Sequence, residues 1–228
     1  MSILIAIRHA RSTANAQGIL AGRTPGVELD EIGRQQAIDL GTRLLGLPLV
    51  AAVSSPLERC RTTLELALAQ TDSQLDITTD ERLAETDYGQ WSGRKLSELA
   101  EEPLWKVVQN TPDQAQFPAG EKMSAVQHRI VEAVLDWNAR LGKDACWGLA
   151  SHGDPLAALI NWAVGADFRH VQQVGVGPAS ATIIALPHDD QPTARLQAMN
   201  TLHGPLTGWI TPPTPQVGGD TGAHRDPP

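Results

Sequence analysis

Apolar and polar positions follow two different periods along this chain. Ile3 to Ile7 is an unbroken apolar run that stops at Arg8-His9-Ala10, and Cys146 to Ala150 is a second run that stops at Ser151-His152-Gly153-Asp154. Each has the length of a buried strand ending at a histidine. Between them, Asp30 stands as an N-cap before Ala37, Leu40 and Leu44 at helical spacing, with Gly46 as the stop. Leu49 to Val53 reads as another buried strand. Ser54-Ser55-Pro56 then supplies a cap and a first-turn proline for a helix from Leu57 to Gln70, with Leu57, Leu64 and Leu68 facing inward and Arg59 in its first turn.

The pattern breaks from Arg82 to Gly93, a glycine-punctuated, aperiodic stretch that reads as a loop, followed by a short helix from Lys95 to Glu101. After a turn at Phe117 to Glu121, the positions Val126, Ile130, Val134, Leu135 and Leu141 trace one face of a long helix ending near Gly142. Pro155 suits the first turn of a helix running through Leu156 to Val164, and Ala179 to Leu186 and Arg195 to Met199 read as a terminal pair of strands. Strand-like runs alternating with helix-like segments predict a layered α/β architecture.

A length of 228 residues suits one larger domain. The formal charge of -8 argues against nucleic acid bound through bulk positive charge and leaves room for a local basic pocket. Cys60 and Cys146 are the two cysteines, so neither a disulfide framework nor a thiolate metal site is suggested, and cytoplasmic residence is the default expectation. No stretch approaches a membrane span, and the first apolar run is too short for a signal peptide. From Gly204 the composition turns to Pro, Gly, Thr and Asp, which predicts a domain over 1–203 and a mobile tail over 204–228.

A histidine where a strand ends has its ring free of the backbone ladder, and the carboxyl ends of strands are where open α/β sheets bind ligands. Taken singly, His9 reads as an ordinary strand-end histidine, Glu85 as a surface carboxylate, and Arg59 as a solvated residue. A cation is nonetheless disfavoured at a helix N-terminus, which hints at an anion there. Gly148-Leu-Ala-Ser151-His152-Gly153 has the wrong spacing for a serine-hydrolase elbow. The other histidines have no ligand-like spacing.

Taken together and in order, these segments resemble the phosphoglycerate-mutase-like histidine phosphatase superfamily from Ile3 to about Leu186. Arg8, His9 and Ala10, with Ser12 and Asn15, stand at its opening Arg-His-Gly and the Ser and Asn beyond. Leu29 to Ala37 is similar to its Leu-x-x-x-Gly-x-x-Gln-Ala helix start, Ser55 to Thr63 to its Ser-x-Leu-x-Arg-x-x-x-Thr block, Leu83 to Gly93 to its acid loop, and Ser151-His152-Gly153 to its second histidine. The resemblance implies a three-layer α/β/α sandwich with a mostly parallel central sheet. It also implies phosphoryl transfer without metal or cofactor: His9 attacks phosphorus, Arg8, Arg59 and a protonated His152 hold the phosphoryl oxygens, and Glu85 exchanges a proton with the leaving alcohol and water. Ser12, Asn15, Gly22 and Gly153 are the implied phosphate- or substrate-binding positions.

The chain departs from the family pattern at Ala10, where glycine is usual, at Arg11, at Ala21-Gly22 in place of Thr-Gly, and at Lys122. Residues 94 to 120 lack the paired arginines and proline-rich lid of glycolytic mutases, although Arg94 or Lys95 could supply one substrate contact. The expected activity is therefore hydrolysis of small phosphomonoesters, with a phosphomutase or a non-catalytic phospho-ligand binder as alternatives. No nucleic-acid or membrane partner is expected, and the sequence leaves the oligomeric state open.

Overall fold

A computed structural model describes residues 1–188, 192–207 and 210. Six strands form one mixed sheet in the order β3-β2-β4-β1-β5-β6, comprising β1 (Ile3–Arg8), β2 (Leu49–Ser54), β3 (Ile77–Thr79), β4 (Cys146–Ser151), β5 (Ala181–Ala185) and β6 (Arg195–Thr201). The first four run parallel, and β5 is antiparallel to both β1 and β6. The seven α-helices among the described residues are α1 (Thr13–Gln17), α2 (Glu31–Leu44), α3 (Glu58–Leu68), α4 (Leu96–Leu99), α5 (Pro103–Asn110), α6 (Met123–Leu141) and α7 (Gly153–Ala163).

Period-two alternation divides each central strand between two cores, which is why the runs are apolar throughout. On β1, Ile3, Ile5 and Ile7 pack with Leu40 and Leu44 of α2 and with Cys60 and Leu64 of α3, while Leu4 and Ala6 face the core built with α6 and α7. Trp147 and Leu149 of β4 join the second core and Cys146 and Ala150 the first. Helices thus cover both faces of the sheet, the layered sandwich implied by the resemblance.

Register positions the site. Arg8 pairs with Ser151 and Ser54 with Ala150, so β1, β4 and β2 end at one level and deliver His9, His152 and the β2–α3 junction side by side. The His9 amide donates to Ser151 O at 3.0 Å and the Ser55 amide to Ala150 O at 2.9 Å, extending the ladder by one bond on each side.

Several local expectations need correction. The cap of α3 is Leu57, partly buried and without a side-chain hydrogen bond, and Ser55 Oγ instead accepts from the Leu57 amide at 3.3 Å. Leu135 lies exposed because Ala133 occupies the buried face beside Val134. The expected tail falls mostly on residues outside the described set, yet its first part is docked: Leu206 is fully buried, its amide donates to Arg43 O at 3.0 Å, and Arg43 Nε donates to Gly204 O at 3.1 Å.

Candidate active site

The strand ends, the loop after α1 and the segment 171–176 enclose a cleft of about 260 Å³. All nine sequence-predicted positions, Arg8, His9, Ser12, Asn15, Gly22, Arg59, Glu85 and Gly153 with His152 behind His9, gather there; His152 touches His9 with ring centroids 5.1 Å apart and is itself fully buried.

His9 Nδ1 lies 2.8 Å from Ala10 O. A carbonyl only accepts, so Nδ1 carries the proton and Nε2 keeps its lone pair. Burial and the nearby Arg59 and Arg8 guanidinium groups hold the His9 pKa well below its ordinary value, so the ring stays neutral. His152 Nε2 is 2.7 Å from Ser55 Oγ and 3.4 Å from Cys60 Sγ. Burial and then Arg59 push its pKa down as well. The same burial pushes the Cys60 thiol up to about 12, and Cys60 packs beneath His152 as an inert thiol.

The guanidinium groups are positioned with donors to spare. Arg59, 1% exposed, donates from one terminal nitrogen to Gly22 O at 2.8 Å, while the other finds no protein acceptor. Arg8 Nη1 donates to Val176 O, and its buried Nε is equally without a partner. Unpartnered guanidinium nitrogens buried in this way carry a desolvation penalty that an anion in the cleft removes. Gly153, first residue of α7, lies against Arg8: a Cβ there would sit 3.6 Å from Arg8 Cζ. Gly22 has φ +54°, and a Cβ would approach Ser92 Oγ to 2.6 Å, so glycine keeps this carbonyl on Arg59.

Glu85 follows β3 through a single 3-10 turn and is 9% exposed. Burial, reinforced by the charge of Asp154, raises its pKa to about 7. Its Oε1 accepts from the Thr86 amide at 2.8 Å. Asp154 lines the cleft and accepts from the Tyr88 hydroxyl at 2.9 Å. The sequence reading missed both Asp154 and Tyr88; Asp154 stands two residues after His152 and Tyr88 three after Glu85, and that adjacency was the available signal.

The acid loop is held by Arg129 of α6, also missed. Its guanidinium donates to Arg82 O and Ala84 O at 2.7 Å each, to Glu85 O at 3.1 Å, and to Glu121 Oε1 at 2.9 Å. Arg23 Nε adds a bond to Glu85 O at 2.8 Å.

Two of the departures from the family pattern, Ala10 and Arg11, find local explanations. Ala10 is fully buried beside Leu29, Ala37 and Ala179, so its methyl fills a small core and does not line the cleft, and its amide donates to Thr63 Oγ1 at 3.0 Å. Arg11 turns to the α2 cap, with Nε 2.7 Å from Asp30 Oδ2, and Arg94 pairs with Glu102 at 2.8 Å. Arg11, Arg94, Lys95 and Lys122 are all absent from the lining. Ser12 and Asn15 line the cleft and also form the capping box of α1, in which the Asn15 amide donates to Ser12 Oγ at 3.2 Å and Asn15 Oδ1 accepts from the Ser12 amide at 3.1 Å.

Two imidazoles, two guanidinium groups and a buried carboxyl at the carboxyl ends of parallel strands define a phosphoryl-transfer enzyme of the α/β sandwich class. Comparison with known proteins makes the class specific: the chain belongs to the histidine phosphatase superfamily (branch 1), which matches residues 4–200. It is 31% identical over 190 residues to phosphoserine phosphatase 1 of Hydrogenobacter thermophilus, covering 79% of this chain and 85% of that one. It is 29% identical over 186 residues to the 2,3-bisphosphoglycerate-dependent phosphoglycerate mutase of Thermoplasma acidophilum, covering 81% and 87%. Among solved structures, YhfR of Bacillus stearothermophilus matches with a TM-score of 0.80 at 25% identity, covering 88% of this chain and 97% of that one. A putative alpha-ribazole-5'-P phosphatase of Escherichia coli matches at 0.77 and 26%, covering 89% and 98%.

Proposed function

We propose that this chain hydrolyses small phosphomonoesters through a phosphohistidine at His9, the reading best supported by a free His9 Nε2 set among unpartnered guanidinium donors of Arg8 and Arg59. The lone pair of Nε2 forms the N–P bond as the ester P–O bond breaks, and Glu85 gives its proton to the departing alkoxide. Water then attacks phosphorus as Glu85 takes a proton from it; the N–P bond breaks, its electron pair returns to Nε2, and inorganic phosphate leaves. Arg8 and Arg59 hold the equatorial oxygens in a fixed fork, stabilising charge without reorganisation. Burial and the Arg59 charge both disfavour a protonated His152; phosphate charge offsets the second, and the protonated ring, released from Ser55 Oγ, donates to a phosphoryl oxygen. Ser12, Asn15, Gly22 and Gly153 shape the cleft around the ester.

Hydrolysis is preferred to mutase chemistry because residues 94–120 form only short helices, and neither Arg94 nor Lys95 lines the cleft to grip a second anionic group. No metal or organic cofactor enters these steps, and we place the protein in the cytoplasm, with no nucleic-acid or membrane partner. Among the described residues, no helix is long and apolar enough to cross a membrane. Phosphate release from a panel of phosphomonoesters with chelator present tests the proposal. Turnover abolished by His9→Ala is expected, and unchanged turnover in that variant contradicts it.

A further inference from the structure

Beyond the phosphate-binding groups the cleft has a second character. Ile19, Leu20 and Leu96 line it from the segments around α1 and α4, and Val171, Val174 and Val176, with the neutral Gln172 among them, line it from the turn after α7. Its only lining guanidinium or ammonium groups, among the described residues, are Arg8 and Arg59. Of the cations in neighbouring segments, Arg11 pairs with Asp30, Arg23 and Arg129 with Glu121, and Arg94 with Glu102, while Lys95, exposed beside Leu96, does not line the cleft. The two lining carboxyl groups are Glu85 and Asp154, and Asp154 is fixed by Tyr88.

A phosphomonoester whose alcohol carries a carboxylate or a second phosphate would bring another anion into this cleft. It would lose water, meet no further cation, and face Asp154. Both effects oppose binding, because an unpaired anion in a desolvated site is penalised far more than an apolar group that fits. A cleft of about 260 Å³ has room for a phosphate and a neighbouring group of aromatic-ring size.

Resting on the phosphatase reading, we infer that the preferred substrates are phosphomonoesters of uncharged, largely apolar alcohols, and that the valine-lined segment and Asp154 together discriminate against anionic alcohols such as hydroxy acids.

Two arms test this on the full chain. Calorimetric binding of benzylphosphonate and 3-phosphonopropionate reads the preference without turnover, and His9-dependent phosphate release from phenyl phosphate and phosphoserine reads the chemistry. Benzylphosphonate is expected to bind tighter by on the order of tenfold or more. Val174→Arg, which places a cation on the apolar segment, is expected to narrow that gap. Equal or tighter binding of 3-phosphonopropionate by the native chain overturns the substrate class, as does failure of both to bind, and persisting His9-dependent phosphate release would then leave the phosphatase reading intact. Conversely, preference for benzylphosphonate with no His9-dependent release overturns the phosphatase reading alone.

Discussion

The proton inventory of the cleft rests on Glu85. Its pKa of about 7 stands above the ordinary 4.5, so the folded state holds a proton that the unfolded chain has released between those values. Stability contributed by that proton is present at low pH and lost as pH rises through this window. Glu85→Gln removes the titration, and its melting temperature should fall less than that of the native chain between about pH 5 and pH 8. In the proposed mechanism the same proton goes to the leaving alcohol, so kcat/KM should decline above about pH 7 in the native chain. Glu85→Gln should turn over a poor leaving group about 10²–10⁴-fold more slowly without that decline. A native profile flat from pH 6 to 9 would remove Glu85 as the acid. Ala10 makes the opposite kind of claim, because its methyl belongs to a core and not to the cleft. Ala10→Gly should destabilise by about 1–2 kcal/mol in denaturant titration while leaving kcat nearly unchanged. A large gain in kcat would mean that the methyl crowds phosphate after all.

Elements differ in how plainly they are written in the chain. β1 and β4 were legible because strands buried on both faces are continuously apolar, and α2 because Asp30 caps it, accepting from the Gly33 amide at 2.7 Å; β2 shares the apolar run but is buried only from Ala52 to Ser54, with Val50 exposed, against the expectation of a wholly buried strand. β3 was not, since three residues paired only with β2 at the sheet edge leave no periodic trace. Nor was α1, which spans five residues and depends on the Ser12–Asn15 capping box, a local bond that leaves no periodic trace. Among site residues, His9 and His152 announced themselves at strand ends. Arg129 did not, because besides Glu121 its partners are carbonyls of a loop 44 to 47 residues away in sequence. Its role belongs to the acid loop: Arg129→Leu leaves the carbonyls of Arg82 and Ala84 without this donor. It should lower kcat for poor leaving groups about tenfold or more while sparing esters whose alcohol leaves unprotonated. An equal loss for both ester types would indicate a general folding defect.

At the scale of the whole molecule, the sheet brings together two histidines 143 residues apart by ending three parallel strands at one level, and helices on both faces fix that level. The C-terminal segment contributes to the face carrying α2 and α3, because Leu206 packs fully buried against that core. The Pro- and Gly-rich composition hid this, as one leucine in a polar stretch gives no periodicity. Leu206→Ala should destabilise the fold by about 2–5 kcal/mol, read as a lowered denaturation midpoint, whereas a change within about 0.5 kcal/mol would show that the segment is dispensable. Transient attachment of phosphate to His9 is the event on which the proposed chemistry depends. Rapid mixing with phenyl phosphate, an alkaline quench that preserves phosphohistidine, and peptide mapping by mass spectrometry observe it directly. A phosphate on His9 that forms and decays at the rate of turnover, and is absent in His9→Ala, is the expected result. Turnover with no phosphoenzyme, or with phosphate on another residue, would contradict it.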